Sequence, residues 1–260
     1  MVEGVSKSFG GIKAVYRVSL TVNPGEVLGL IGPNGSGKTT LVNMITGIYR
    51  ADAGAVLIGG RDITRAASHE IAATGIARTF QNINLTDEMS ALDNVAVARF
   101  RAEGGGLAAS LRGGFSDPAW IRARRQAMYF LNALDAGDCA QKPAASLAYG
   151  LKRRVEIARA LALQPRLLLL DEPAAGLNET EQADLAQRLR GFAQTGLSIL
   201  VIEHNMPFLM PLAQRMICLD HGEVIAVGTP AQIRADARVI EAYLGVPETW
   251  SPANERIVVD

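Results

Sequence analysis

Apolar residues along the chain follow two rhythms that take turns. Short apolar runs at 27–31, 167–170 and 198–202 have the length of buried strands. Each is followed by a segment with helical spacing, at 38–47, 179–192 and 206–213. Strand followed by helix, repeated, predicts a parallel sheet covered by helices, an α/β fold. Nearer the start, 18–22 alternates, Asn-Pro-Gly-Glu at 23–26 turns the chain, and 55–58 is a short strand closed by Gly59 and Gly60. A further strand at 77–80 leads into Gln81. From about residue 88 the spacing becomes helical: 91–101, a helix opened by Pro118 that runs to about 134, and one from about 151 to 163. Gly104, Gly105, Gly106, Gly113 and Gly114 mark a flexible loop among them. Strands at 216–219 and 223–227 follow, then helical turns over 230–244, and residues 246–260 read as a loosely held tail. The pattern divides the chain into an α/β core (1–81 and 164–230), a helical subdomain inserted at 82–163 and a C-terminal helical tail (231–260).

Composition narrows the function classes. The chain has 260 residues, 48% of them hydrophobic, ample for one large α/β domain. Formal net charge is zero, so no basic footprint asks for nucleic acid. Cys139 and Cys218 lie far apart without metal-ligand spacing and read as reduced thiols. The longest apolar runs are far too short to span a bilayer, and the opening Met-Val-Glu-Gly-Val-Ser-Lys carries no apolar signal-peptide core. The expectation is a soluble chain that meets a membrane only through partners.

Residues 32–39 read Gly-Pro-Asn-Gly-Ser-Gly-Lys-Thr, a full match to the P-loop that cradles nucleotide phosphates. Gly32, Gly35 and Gly37 let successive N–H groups turn toward phosphate oxygens. Lys38 brings positive charge to the β- and γ-phosphates, and the Thr39 hydroxyl suits Mg²⁺. At average residue frequencies such a match arises by chance in a chain this long about one time in a hundred. The strand before it and the helix after it make chance rarer still, so the chain is expected to bind a nucleoside triphosphate.

Other residues extend that chemistry. Asp171 and Glu172 stand at the carboxyl end of the 167–170 strand, where open α/β sheets hold their ligands. Asp171 suits the Mg²⁺ shell and Glu172 suits polarising an attacking water. A strand ending in a polar turn is common, but a P-loop in the same chain favours the catalytic reading. His204 ends the 198–202 strand after Glu203. A lone histidine there is more often structural, yet parallel topology brings it to the same edge as Asp171. Gln81 is a candidate for the same space. Ser-Leu-Ala-Tyr-Gly-Leu-Lys-Arg-Arg (146–154) opens a helix with a basic first turn, which by itself reads as a plain helix cap.

Together these residues resemble an ATP-binding-cassette (ABC) ATPase over nearly the whole chain and in the correct order. Gly32, Pro33, Asn34, Gly35, Ser36, Gly37, Lys38, Thr39 and Thr40 match its P-loop and Gln81 its Q-loop. Leu147, Ala148, Tyr149, Gly150 and Leu151 match its signature, and Leu170, Asp171 and Glu172 its second phosphate motif. Ala175 through Asn178 match its D-loop, His204 its switch histidine, and Phe9 its adenine-stacking aromatic. The segments Ala-Arg-Thr-Phe-Gln-Asn (77–82) and Val-Ile-Glu-Ala-Tyr-Leu-Gly (239–245) are similar to ATPase subunits of branched-chain amino-acid uptake transporters. The resemblance implies a P-loop NTPase core with an antiparallel β subdomain and an inserted helical subdomain, hydrolysing ATP.

It implies ATP and Mg²⁺ as cofactors, with Thr39, Gln81 and Asp171 around the metal and Glu172, His204, Lys38 and Gln81 catalytic. It implies transmembrane permease subunits and a second ABC ATPase subunit, self or paralogue, as partners on the cytoplasmic face of the membrane. The partner's signature, equivalent to Ala148 and Gly150, would cover the nucleotide. A short permease helix would dock over 82–100, at Ile83, Leu85 and Met89. The alternatives within the same cassette are a lipid or lipopolysaccharide exporter and a soluble ATPase of iron–sulfur cluster assembly. Three departures stand out: Ala148 and Leu151 replace the usual Ser and Gln of the signature, Asn178 replaces the D-loop Asp, and the chain begins late enough to shorten the first strand.

Overall fold

The computed structural model describes residues 1–79, 81–102 and 117–244. The strands are β1 (Val2–Phe9), β2 (Ile12–Leu20), β3 (Val27–Ile31), β4 (Ala53–Ile58), β5 (Arg61–Asp62), β6 (Ile76–Arg78), β7 (Leu167–Asp171), β8 (Ser198–Ile202), β9 (Arg215–Asp220) and β10 (Glu223–Gly228). The helices are α1 (Lys38–Ile45), α2 (Ser68–Ala73), α3 (Ala91–Ala102), α4 (Pro118–Ala133), α5 (Tyr149–Ala162), α6 (Glu179–Gln194), α7 (Met206–Leu212), α8 (Pro230–Ala235) and α9 (Ala237–Leu244).

Two sheets share one apolar layer. The smaller is antiparallel in the order β2-β1-β4-β5, and the larger runs β10-β9-β3-β8-β7-β6. In the larger sheet β3, β6, β7, β8 and β9 are parallel and only β10 is antiparallel. β3 and β7 are buried along their whole length because both faces of this sheet are covered. Their side chains alternate. Leu28, Leu30, Leu167, Leu169, Leu200 and Ile202 pack with α1 and the antiparallel sheet. Val27, Ile31, Leu168, Leu170, Ile199 and Val201 pack under the helices. Each fully buried Leu or Ile contributes about 1.5–3 kcal/mol relative to leaving it in water.

The strand order decides where the chemistry gathers. β8 lies between β3 and β7, and the register sets Leu30, Ile202 and Asp171 abreast. The loops that leave β3, β7 and β8 therefore emerge side by side, and β6 delivers Arg78 and Thr79 next to β7. Helices α3, α4 and α5 pack on one another, with Phe100 edge-on to Trp120 at 5.7 Å.

Several boundaries differ from the sequence reading. β2 reaches back to Ile12, the helix after the P-loop stops at Ile45, and α5 starts at Tyr149 rather than 151. β1, for which the sequence pattern gave no bounds, is eight residues long. Its signal was hidden because its register slips repeatedly against β2, which breaks strict alternation. Helix α2 went unread because six residues with one buried apolar side chain, Ile71, carry no periodicity. Phe80, the glycine-rich loop at 104–114 and the tail at 246–260 lie outside the described residues.

Candidate functional site

Beyond β3 the chain enters the P-loop through Gly32. Gly32 has φ +147°, and a Cβ there would lie 2.1 Å from the Leu219 carbonyl oxygen. Gly37 has φ +100°, and its Cβ would meet the Ala14 carbonyl oxygen at 2.3 Å. Only glycine fits either place, so the loop is pressed between the β9 end and β2. Gly37 precedes α1 with no side-chain cap, which leaves the first-turn N–H groups of that helix for an anion. Lys38 Nζ donates to the carbonyl oxygens of Gly32 at 2.7 Å and Pro33 at 2.9 Å. Burial pulls its pKa below the ordinary lysine value, against the opposing influence of Glu172, Cys218 and Asp171. Asn34, Gly35 and Thr39 are exposed along the open side of the loop.

Across from it, Asp171 ends β7 and is nearly buried. Arg78 Nη2 sits 2.9 Å from its Oδ2, and Arg78 Nη1 donates to Asn43 Oδ1 of α1 at 2.7 Å. Glu172 follows with φ +47°, a left-handed conformation that costs a non-glycine residue about 1–2 kcal/mol. Its N–H is held by the Ile202 carbonyl at 2.9 Å. Gln81 Nε2 donates to Glu172 Oε2 at 3.1 Å, and His204 Nδ1 lies 3.5 Å from Glu172 Oε1. Glu172 is thus the meeting point of the Q-loop glutamine and the histidine. The hard oxygen donors of Thr39, Gln81 and Asp171 are the kind Mg²⁺ takes alongside nucleotide phosphates. Among the described residues no group of three or more His, Cys, Asp or Glu gathers, and a cation carried on phosphates needs none.

Two residues that sequence reasoning did not single out organise this edge. Glu203 is 1% exposed and accepts three backbone N–H groups: Ala174 at 3.0 Å, His204 at 2.9 Å and Asn205 at 3.2 Å. It ties the loop after β7 to the loop after β8. Arg153 of α5 is fully buried. It donates to the Gln81 carbonyl at 2.9 Å and pairs with Glu156 at 2.8 Å, which fastens the Q-loop to the signature helix. Glu203 left a clue in standing directly after the apolar run 198–202, since a charge there is costly unless paired; Arg153, in the middle of Lys-Arg-Arg (152–154), left none.

The structure brings together Lys38, Gln81, Asp171, Glu172 and His204. Ala148 and Gly150 stand at the start of α5, whose Arg153 meets the Gln81 carbonyl. Ala148 is the exposed residue before α5, and a Cβ on Gly150 would lie 2.9 Å from Glu181 of α6. Phe9 stands on the antiparallel sheet, edge-on to Tyr49 at 5.2 Å and 43% exposed. Leu151 packs partly against the main core, and Asn178 caps α6 reciprocally with Glu181 at 3.0 Å. Of Ile83, Leu85 and Met89, only Met89 lines the hollow beside α3. Leu85 turns inward onto the core. That hollow, about 350 Å³, is walled by Thr86, Met89, Val97, Ala98, Arg159 and Leu163.

Comparison with known proteins bears on this arrangement. The family model described as ABC transporter matches residues 15–175, and the one described as branched-chain amino acid ATP-binding cassette transporter matches residues 223–249. BraF of Pseudomonas aeruginosa, a high-affinity branched-chain amino acid transport ATP-binding protein, is 41% identical over 249 residues, covering 94% of this chain and 96% of BraF. A solved ATP-binding cassette of an ABC transporter in its ADP conformation matches with TM-score 0.82 at 32% identity, over 94% of this chain and 98% of that one. A dimeric bacterial ABC transporter cassette matches with TM-score 0.75 at 27% identity, over 88% and 97%.

Proposed function

The chain belongs to the ABC transporter ATP-binding family, and from that membership we propose that it is the ATP-hydrolysing subunit of an importer for branched-chain amino acids. The observation that carries the chemistry is the convergence on Glu172. Gln81 and His204 both reach it at the strand edge that holds the P-loop. In this reading Glu172 takes the proton of the attacking water. Lys38 and His204 stabilise charge on the transferring phosphoryl group. Thr39, Asp171 and Gln81 would hold Mg²⁺, which would supply positive charge to offset that of the nucleotide phosphates. Phe9 stacks on the base.

The exposure of Ala148 at the start of α5, and the likeness to a dimeric ABC transporter cassette, support a composite site. The signature of a second subunit, self or paralogue, would complete the pocket of the first. Asn178 keeps α6 capped without adding charge at that seam. No helix of the described residues is long and apolar enough to cross a membrane, so permease subunits would carry the substrate. The chain would act on their cytoplasmic face. The hollow at Met89, Val97 and Leu163 offers them a half-apolar seat between the Q-loop and α3.

The test is isolation of the chain with its partners from detergent-solubilised membranes, followed by reconstitution in vesicles. Leucine uptake should need ATP and should fall with Glu172→Gln by roughly 100- to 10,000-fold while ATP still binds. Recovery with soluble cluster-assembly scaffolds, or with an exporter of lipid, would refute the importer reading. An active Glu172→Gln would refute the assignment of the base.

A further inference from the structure

We infer that Tyr243 is a positioning residue for the P-loop, through which the C-terminal helix sets the nucleotide affinity of the site. The inference rests on the P-loop being the nucleotide site and adds a residue that lies 211 positions away from Gly32. Gly32 is buried, and its N–H lies beyond both ladders of β3, whose last pairs are Ile31 with Cys218 and Leu30 with Ile202. Its acceptor is the Tyr243 hydroxyl, at 2.9 Å. The glycine cannot shift freely, since at φ +147° it sits against the Leu219 carbonyl and Ser36 Oγ. The hydrogen bond therefore fixes the first turn of the loop, whose next carbonyls hold Lys38.

Helix α9 is built to deliver that hydroxyl. Asp236 accepts the Arg238 N–H at 2.9 Å at its start, Val239 is buried in the main core, and Tyr243 follows one turn later on the same face. Tyr243 as a whole is 41% exposed, while its hydroxyl meets the buried Gly32 N–H. Burial raises the phenol pKa, so the hydroxyl stays protonated at neutral pH. Residues 223–249, the stretch matched by the branched-chain transporter model, thus touch the loop that the general ABC model covers. A contact that displaced α9 would loosen the loop without touching the nucleotide.

Tyr243→Phe removes only the oxygen. In the full chain, calorimetric titration with ATP and with ADP should show affinities three- to tenfold weaker than wild type. The two should weaken by similar factors, because the loop cradles phosphates common to both. KM for ATP should rise in step while kcat at saturation holds. Amide exchange of the segment 27–40 should quicken. Equal affinities for wild type and variant would overturn the inference, whether or not the melting temperature falls, because a tyrosine that merely docks α9 affects stability alone. Absence of ATP binding by the wild type would instead sink the nucleotide-site reading itself.

Discussion

Arg78 and Asp171 stand on neighbouring strands with Nη2 2.9 Å from Oδ2, and the other amino nitrogen of Arg78 reaches Asn43 on the P-loop helix. One guanidinium therefore links the helix after the P-loop to the carboxylate suited to Mg²⁺. Both side chains are largely buried, so removing one partner strands the other. Arg78→Gln should lower the stability of the ligand-free protein by about 3 kcal/mol. A cation arriving with the nucleotide would partly replace the lost charge, so MgATP should raise the melting temperature of this variant more than that of the wild type. An equal or smaller rise would count against the link.

Glu203 sets the geometry of the histidine loop through three backbone N–H groups. An amide in its place presents an NH₂ group to at least one of those donors. Glu203→Gln should cost about 2 kcal/mol of stability. It should also lower kcat tenfold to a hundredfold by displacing His204. Urea melts and ATPase assays at saturating ATP check both; an unchanged kcat would leave Glu203 a structural residue only.

Val97 is 38% exposed in the wall of the hollow beside the Q-loop. A charge there desolvates poorly against an apolar helix. Val97→Asp should abolish co-purification with permease subunits while the isolated chain melts as the wild type does. Intact complexes would show that the permease docks elsewhere.

Asp184 joins α6 to α5. It accepts from Arg188 at 2.7 Å and Arg154 at 2.6 Å. The Arg188 hydrogen bond, with help from Arg154, holds its carboxyl below the usual range against the effect of burial. A depressed pKa in the folded state means stability that is present above the unfolded value and lost as pH falls through the folded one. Asp184→Asn should therefore be less stable than wild type at neutral pH. The gap should close below about pH 4. Denaturant midpoints measured across that range would settle it; a constant gap would show that the pair contributes by packing rather than charge.

The motifs were legible because they are local. A P-loop needs glycines at fixed offsets, and an Asp-Glu pair after four leucines can be read in one pass along the chain. Glu203 and Arg153 were not legible as organisers, because a charged residue in sequence does not say which backbone groups it will meet. Arg78 shows the same gap. Its neighbours Asn43 and Asp171 lie 35 and 93 residues away, and only the β6–β7 pairing places it between them.

By itself the sequence determined the chemistry on offer: a phosphate cradle, two carboxylates, a glutamine and a histidine, each carried on short segments whose conformation is set by their own residues. The tertiary structure decided which of these meet. Its strand order set β8 between β3 and β7, so Gln81 and His204 converge on Glu172. It also folded α9 back so that Tyr243 completes Gly32. The reason is that glycine turns and strand periodicity are local steric effects, whereas sheet register and helix docking depend on burying distant apolar faces against one another.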